Sequence, residues 1–173
     1  MITDDELAIT CIVAEAGNQP HEGQTAVGCV ILNRIKYKYS SDGTMIGTVL
    51  HKWAFSWAWA AMENGRYQQV AFDLGQAETR ASQDFDELSE NKDLWGNATQ
   101  AWADAKAWSA GGAAPMSFVP GPDFKAGFTD HTVLYLNPKI TNPMPAWANP
   151  KYQDCVLWDH TFFHDGAFPY GSA

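Results

Sequence analysis

Leu7-Ala8-Ile9-Thr10-Cys11-Ile12-Val13-Ala14-Glu15-Ala16-Gly17-Asn18-Gln19-Pro20 is the stretch on which the reading of this chain turns. Thr3-Asp4-Asp5-Glu6 precedes it and reads as a capping box, in which the Thr3 hydroxyl satisfies an orphan amide and Glu6 reaches back to the cap. Gly17 to Pro20 oppose continuation, so the spacing predicts a helix that ends at about Ala14 to Ala16. On that helix Leu7, Ala8, Cys11, Ile12, Ala14 and Glu15 lie near one another by three- and four-residue steps. Glu15 therefore projects from the face that packs into the core, at the helix's last turn. Burial favours its protonated form, and the C-terminal end of a helix dipole disfavours the anion further. A carboxyl group kept neutral near working pH is what a general acid for glycosidic cleavage requires. The plainer alternative is a half-exposed Glu15 that caps a neighbour.

Working outward, a second helix is expected from Glu22 to about Ile35. Ala26, Val27, Cys29, Val30, Ile31 and Leu32 cover nearly its whole circumference, so it should lie at the centre of the core. Ser40 to Gly43 reads as a loop, followed by a short helix from Thr44 to about Lys52. The polar stretch from Met62 to Asp93 is expected to hold one exposed helix, at about Gln76 to Glu90. A strong helix should then run from Asp93 to about Ala110, carrying Trp95, Ala98, Trp102, Ala105 and Trp108 at alternating steps, with Gly111-Gly112 as its stop. Pro115 to Gly127 is punctuated by Pro120, Gly121 and Pro122. Strand-like runs follow at Thr132–Leu136 and Cys155–Trp158, with a proline-rich loop between them. The expected fold is α+β, a mostly helical single domain over residues 1–173 with a small β element near the C-terminus.

Composition narrows the function classes. The chain has 173 residues, 46% hydrophobic and 18% charged, with 11 basic against 20 acidic side chains and a net charge of −9. That balance lacks the clustered Lys and Arg that nucleic acid or an anionic membrane surface would need. No apolar run approaches the ~20 residues of a membrane span. Met1-Ile2-Thr3-Asp4-Asp5-Glu6 lacks the basic and apolar pattern of a signal peptide, so synthesis in the cytoplasm is expected. Cys11, Cys29 and Cys155 are an odd, sparse set, expected to be reduced and buried.

Several blocks taken together resemble a known family. Ala14-Glu15-Ala16, Glu22-Gly23-Gln24 with Ala26-Val27, and Val30-Ile31-Leu32-Asn33-Arg34 are similar to the catalytic-domain signature of the cell wall hydrolase family that includes the spore cortex-lytic enzymes. Looser matches follow in order: Phe55-Ser56, the Ala-rich helix from Ala98 to Ala110, Tyr135 with Asn137-Pro138, Trp147, and His160 with Phe162-Phe163. The resemblance implies a lysozyme-like lytic transglycosylase fold and Glu15 as the catalytic acid. It also implies the glycan strand of peptidoglycan as substrate; no cofactor or metal is expected, and the chain is expected to be a monomer. Phe55, Ser56, Tyr135, Asn137, Trp147 and His160 are the substrate-binding candidates it brings forward. A leaderless chain of this kind looks like a phage-type endolysin or a phage-particle lysin, acting on the wall after release. The sequence departs from the pattern at Gly17-Asn18-Gln19, where members carry Arg-Gly-Glu, so the family's second glutamate is an amide here. The Met62–Asp93 segment is also longer than the family needs, and is expected to shape one wall of the cleft.

If Glu15 is the acid, either the muramic acid 6-hydroxyl attacks the anomeric carbon, giving a 1,6-anhydro product, or water does. Glu22, the nearest spare carboxylate, fits better as a first-turn acid of the second helix. Trp102 and Trp108 read as packing residues, whereas Trp53, Trp57 and Trp59 are less periodic and are groove candidates. The principal rival is a zinc amidase built from His160, His164, Cys155, Asp159, Asp165 or His131. A cysteine peptidase using Cys29 or Cys155 is weaker, because Cys29 sits among apolar neighbours that oppose a thiolate. A non-catalytic glycan-binding or virion structural protein is the remaining alternative.

Overall fold

In the computed structural model, which describes residues 2–64, 66–112, 127–141 and 143–170, the first helix α1 spans Asp4–Ala16. Its capping box forms as the sequence predicts: the Glu6 amide donates to the Thr3 hydroxyl, and the Glu6 carboxylate accepts from the Thr3 amide at 2.7 Å. Helix α2 (His21–Tyr37) is buried over most of its length and ends at Lys38, which adopts a left-handed φ of 54°. Helix α3 (Met45–Val49) is capped by Thr44 and is shorter than expected, stopping before Lys52. Helix α4 (Leu74–Ser89) starts two residues earlier than expected, because Asp73 and Gln76 form a second capping box. Helix α5 (Lys92–Ser109) is capped by Asn91.

The strands form two antiparallel sheets. Strands β1 (Ala60–Glu63) and β2 (Arg66–Gln69) make a two-stranded hairpin that overlaps the start of the polar Met62–Asp93 stretch, for which the sequence predicts one exposed helix and no strand. Strands β3 (Thr132–Leu136), β4 (Gln153–Leu157) and β5 (His160–His164) make a three-stranded sheet in the order β3-β5-β4. The architecture is thus mixed α+β, with helices dominant and a small sheet near the C-terminus, as the sequence predicts. Pro120, Gly121 and Pro122 lie outside the described residues.

The main core gathers Leu7, Ile12, Val27, Val30, Ile31, Phe55, Trp102 and Phe162, from all layers of the fold. Burying one such side chain contributes about 1.5–3 kcal/mol. Gly28 lets α2 and α5 approach closely: a Cβ there would lie 2.9 Å from the Cβ of Ala105. The sheet separates this core from a smaller cluster of Val133, Leu134, Leu136 and Phe163, against which Trp147 packs. A bulge in β3 sets this two-faced arrangement, since Val133 and Leu134 together face one residue of β5. Bulges re-aim the residues that follow them, and here Tyr135 is turned to the helical side.

Candidate active site

Glu15 sits half-buried in the last turn of α1, at the floor of a cleft of about 780 Å³. Its walls come mainly from the end of α1 with the α1–α2 turn, residues 53–57, the hairpin β1–β2, and β3 with the loop that follows it, joined by Arg34, Leu88, Leu94 and His160. Among the described lining residues Glu15 is the one carboxylate.

Glu15 is held from several directions. The Tyr135 hydroxyl donates to Glu15 Oε2 at 3.0 Å. The backbone amides of Trp57 and Ser56 face the same carboxyl, and the Arg34 guanidinium acts on it through space. Burial is the strongest influence and raises the pKa above the ordinary carboxylate range; Tyr135, the two amides and Arg34 pull it part of the way back. Burial beside Glu15 drives the Tyr135 hydroxyl well above its usual pKa, so it remains a proton donor in this hydrogen bond.

Arg34 comes from the last turn of α2 and is 3% exposed. Its Nε donates to the Val133 carbonyl at 2.6 Å and its Nη1 to the Ala54 carbonyl at 3.0 Å. The guanidinium also stacks on Phe55, 4.7 Å from the ring centroid. It thereby ties the β3 bulge to residues 54–55 and fixes two walls around Glu15. Sequence reading had placed Arg34 in a motif without giving it this role. Its signal is a charged side chain directly after the apolar run Ala26–Leu32 on a helix that is buried over most of its length.

All seven residues singled out in the sequence line this one cleft. Glu15 is its floor, and Tyr135 touches the carboxyl directly. Ser56, Asn137 and Trp147 are half-buried on the walls. Phe55 is 1% exposed and packs behind the surface. His160 is buried, lies edge-on to the Tyr135 ring with centroids 5.1 Å apart, and burial lowers its pKa, favouring the neutral ring. Of the tryptophan candidates, Trp53 lines the cleft and is 51% exposed, Trp57 lines it from a buried position, and Trp59 packs into the core with its Nε1 donating to the Leu50 carbonyl. Trp102 is buried, with its Nε1 on Asp5 at 2.6 Å.

The hairpin adds residues that sequence reading missed. Met62 and Tyr67 pair across it, are largely exposed, and line the cleft. Their signal was the Asn64-Gly65 dipeptide, a strong turn former between two strands; Asn64 has the positive φ, 50°, that such a turn requires. Gln19 also lines the cleft. Its side-chain oxygen accepts from the Asp159 amide at 3.3 Å, while its Nε2 donates to Asn18 at 3.0 Å and points to the Asp159 carboxylate at 3.4 Å. An amide serves this position better than a carboxylate, because it meets an N–H and a carboxylate at once.

The ligands imagined for zinc are spread apart. His160 and His164 share strand β5, where four residues span about 13 Å. His160 faces the cleft, while His164 Nδ1 bonds buried Asp154 at 2.6 Å. Cys155 is buried opposite Phe162, and Asp159 pairs with Lys139. No group of three or more His, Cys, Asp or Glu side chains among the described residues is arranged to hold a metal ion. All three cysteines are free and buried, and burial pushes the Cys155 thiol up to about 12. Such thiols are poor nucleophiles at neutral pH.

No family model, curated protein or solved structure matches the chain. No helix among the described residues is long and apolar enough to cross a membrane.

Proposed function

We propose that the chain cleaves the glycan strand of peptidoglycan, with Glu15 as its general acid and base. The observation that carries this reading is one protonatable carboxyl group, raised in pKa by burial, at the floor of an aromatic-walled cleft. Glycan clefts need flat apolar faces for sugar rings, with hydroxyls and amides between them. Trp53, Tyr67 and Trp147 supply such faces, and Ser56, Asn137 and Thr141 the polar groups.

In the reaction, protonated Glu15 gives its proton to the glycosidic oxygen as the bond from the muramic acid anomeric carbon to that oxygen breaks. Positive charge develops on the sugar, and the Glu15 carboxylate left behind lies beneath it. The muramic acid 6-hydroxyl then attacks the anomeric carbon and returns its proton to Glu15. A 1,6-anhydro end forms and no water is consumed. A single carboxylate supports this route over those that need a paired nucleophile or base. Tyr135 keeps Oε2 of Glu15 oriented, and the Trp57 and Ser56 amides help hold the carboxyl in place. A phage-type lysin, reaching the wall after release, is the setting that the family resemblance favours.

Purified sacculi test the reading. Wild-type protein should lower their turbidity and release soluble glycan fragments, and Glu15→Gln should reduce the rate by about 10²–10⁴-fold, the range for loss of a general acid. Release of stem peptides from an intact glycan, or no release at all, would overturn it.

A further inference from the structure

Among the described residues, those that line the cleft above Glu15 offer almost no usable charge. Among the described residues lining it, Arg34 is the one side chain with a permanent positive charge, and it is buried against Phe55 and bonded to two backbone carbonyls. Lys139, which adjoins the wall in sequence, turns instead to Asp159. What the walls offer a ligand is neutral: the Asn137 amide, the Ser56 and Thr141 hydroxyls, and apolar faces. A carboxylate bound there would lose its hydration without gaining a free cation from the described residues.

We infer that the sugars seated across Glu15 must be uncharged, so the chain acts on muramic acid units whose lactyl carboxyl is amide-linked and discriminates against units where it is free. This inference rests on the glycan-cleaving reading above and adds the substituent that decides which strands are cut. The lactyl group carries the only ionisable group of the repeating disaccharide, and amide linkage to a stem peptide removes that charge. Uronate-bearing polymers fall to the same exclusion.

The test compares two forms of one polymer. Glycan strands freed of stems by an amidase carry free lactyl carboxylates; a portion of the same strands is converted to primary amides with carbodiimide and ammonia. At pH 7 the amidated strands should be cleaved with kcat/KM about tenfold higher or more, and the gap should shrink as pH falls toward the lactyl pKa. Ile140→Lys, which places a cation on the exposed rim, should raise the rate on the free-carboxylate strands and narrow the ratio. Equal wild-type rates on both forms overturn the inference while leaving glycan cleavage standing. A ratio that Ile140→Lys leaves unmoved overturns it too, by placing the discrimination elsewhere. Failure to cleave either form, or intact sacculi, overturns both readings.

Discussion

A carboxyl group whose pKa is raised by burial has opposite effects on activity and on stability. If Glu15 is the general acid, as proposed, it acts when protonated, so activity should be full below its folded-state pKa and fall as pH rises through it. For stability, the folded chain favours the proton more than the unfolded chain does. The penalty for burying the anion is absent below the unfolded pKa of about 4.3 and complete above the raised folded value. Glu15→Gln should therefore melt at a higher temperature than wild type at pH 7, and lose that advantage in melts below about pH 4. Tyr135→Phe tests the neighbouring hydroxyl. Its hydrogen bond lowers the Glu15 pKa, so its removal should move the alkaline limb of the pH–rate profile upward, with about a tenfold loss in kcat. A limb that stays in place would show that Tyr135 does not act through Glu15.

Among the elements, those that bear the site differ in how plainly the sequence announces them. Helix α1 was legible to its cap because Thr3 and Glu6 satisfy each other locally, and the apolar period of α5 was equally plain. Strand β3 was legible as well, through its run of Thr132-Val133-Leu134-Tyr135-Leu136. The hairpin was not, because its strands are four residues each and mostly exposed, leaving no apolar alternation to read. The bulge that aims Tyr135 at Glu15 was equally silent, since it depends on β5 and on the Arg34 bond to the Val133 carbonyl, from residues far apart in sequence. Two variants test these elements. Met62→Ser with Tyr67→Ser should raise KM about tenfold with kcat within about twofold and an unchanged melting temperature, since the side chains line the cleft without supporting the core. Gln19→Glu should set a second carboxylate against Asp159 and loosen the β4–β5 turn from the α1–α2 turn. About 1 kcal/mol of stability should be lost at pH 7 and regained as the new group protonates, in chemical denaturation followed against pH.

For the whole molecule, the net charge of −9 bears on the proposed wall substrate: an anionic cell envelope would repel the chain, and screening would relieve that repulsion. Raising ionic strength from about 0.01 M to 0.15 M shortens the Debye length from about 30 Å to 8 Å. Lysis of sacculi should accelerate over that range; slowing would mean that local cations carry the approach. The helices and the small sheet together hold one carboxyl group of raised pKa in an aromatic-walled cleft, with the Tyr135 hydroxyl on it. The most direct measurement of that claim is mass spectrometry of the soluble products from purified sacculi, with wild type and Glu15→Gln run side by side, each with and without EDTA. The account predicts muropeptides ending in 1,6-anhydro-muramic acid, one water lighter than hydrolysed ends, from wild type alone and unchanged by EDTA. Free stem peptides that vanish with EDTA, or identical glycan products from Glu15→Gln, would contradict it.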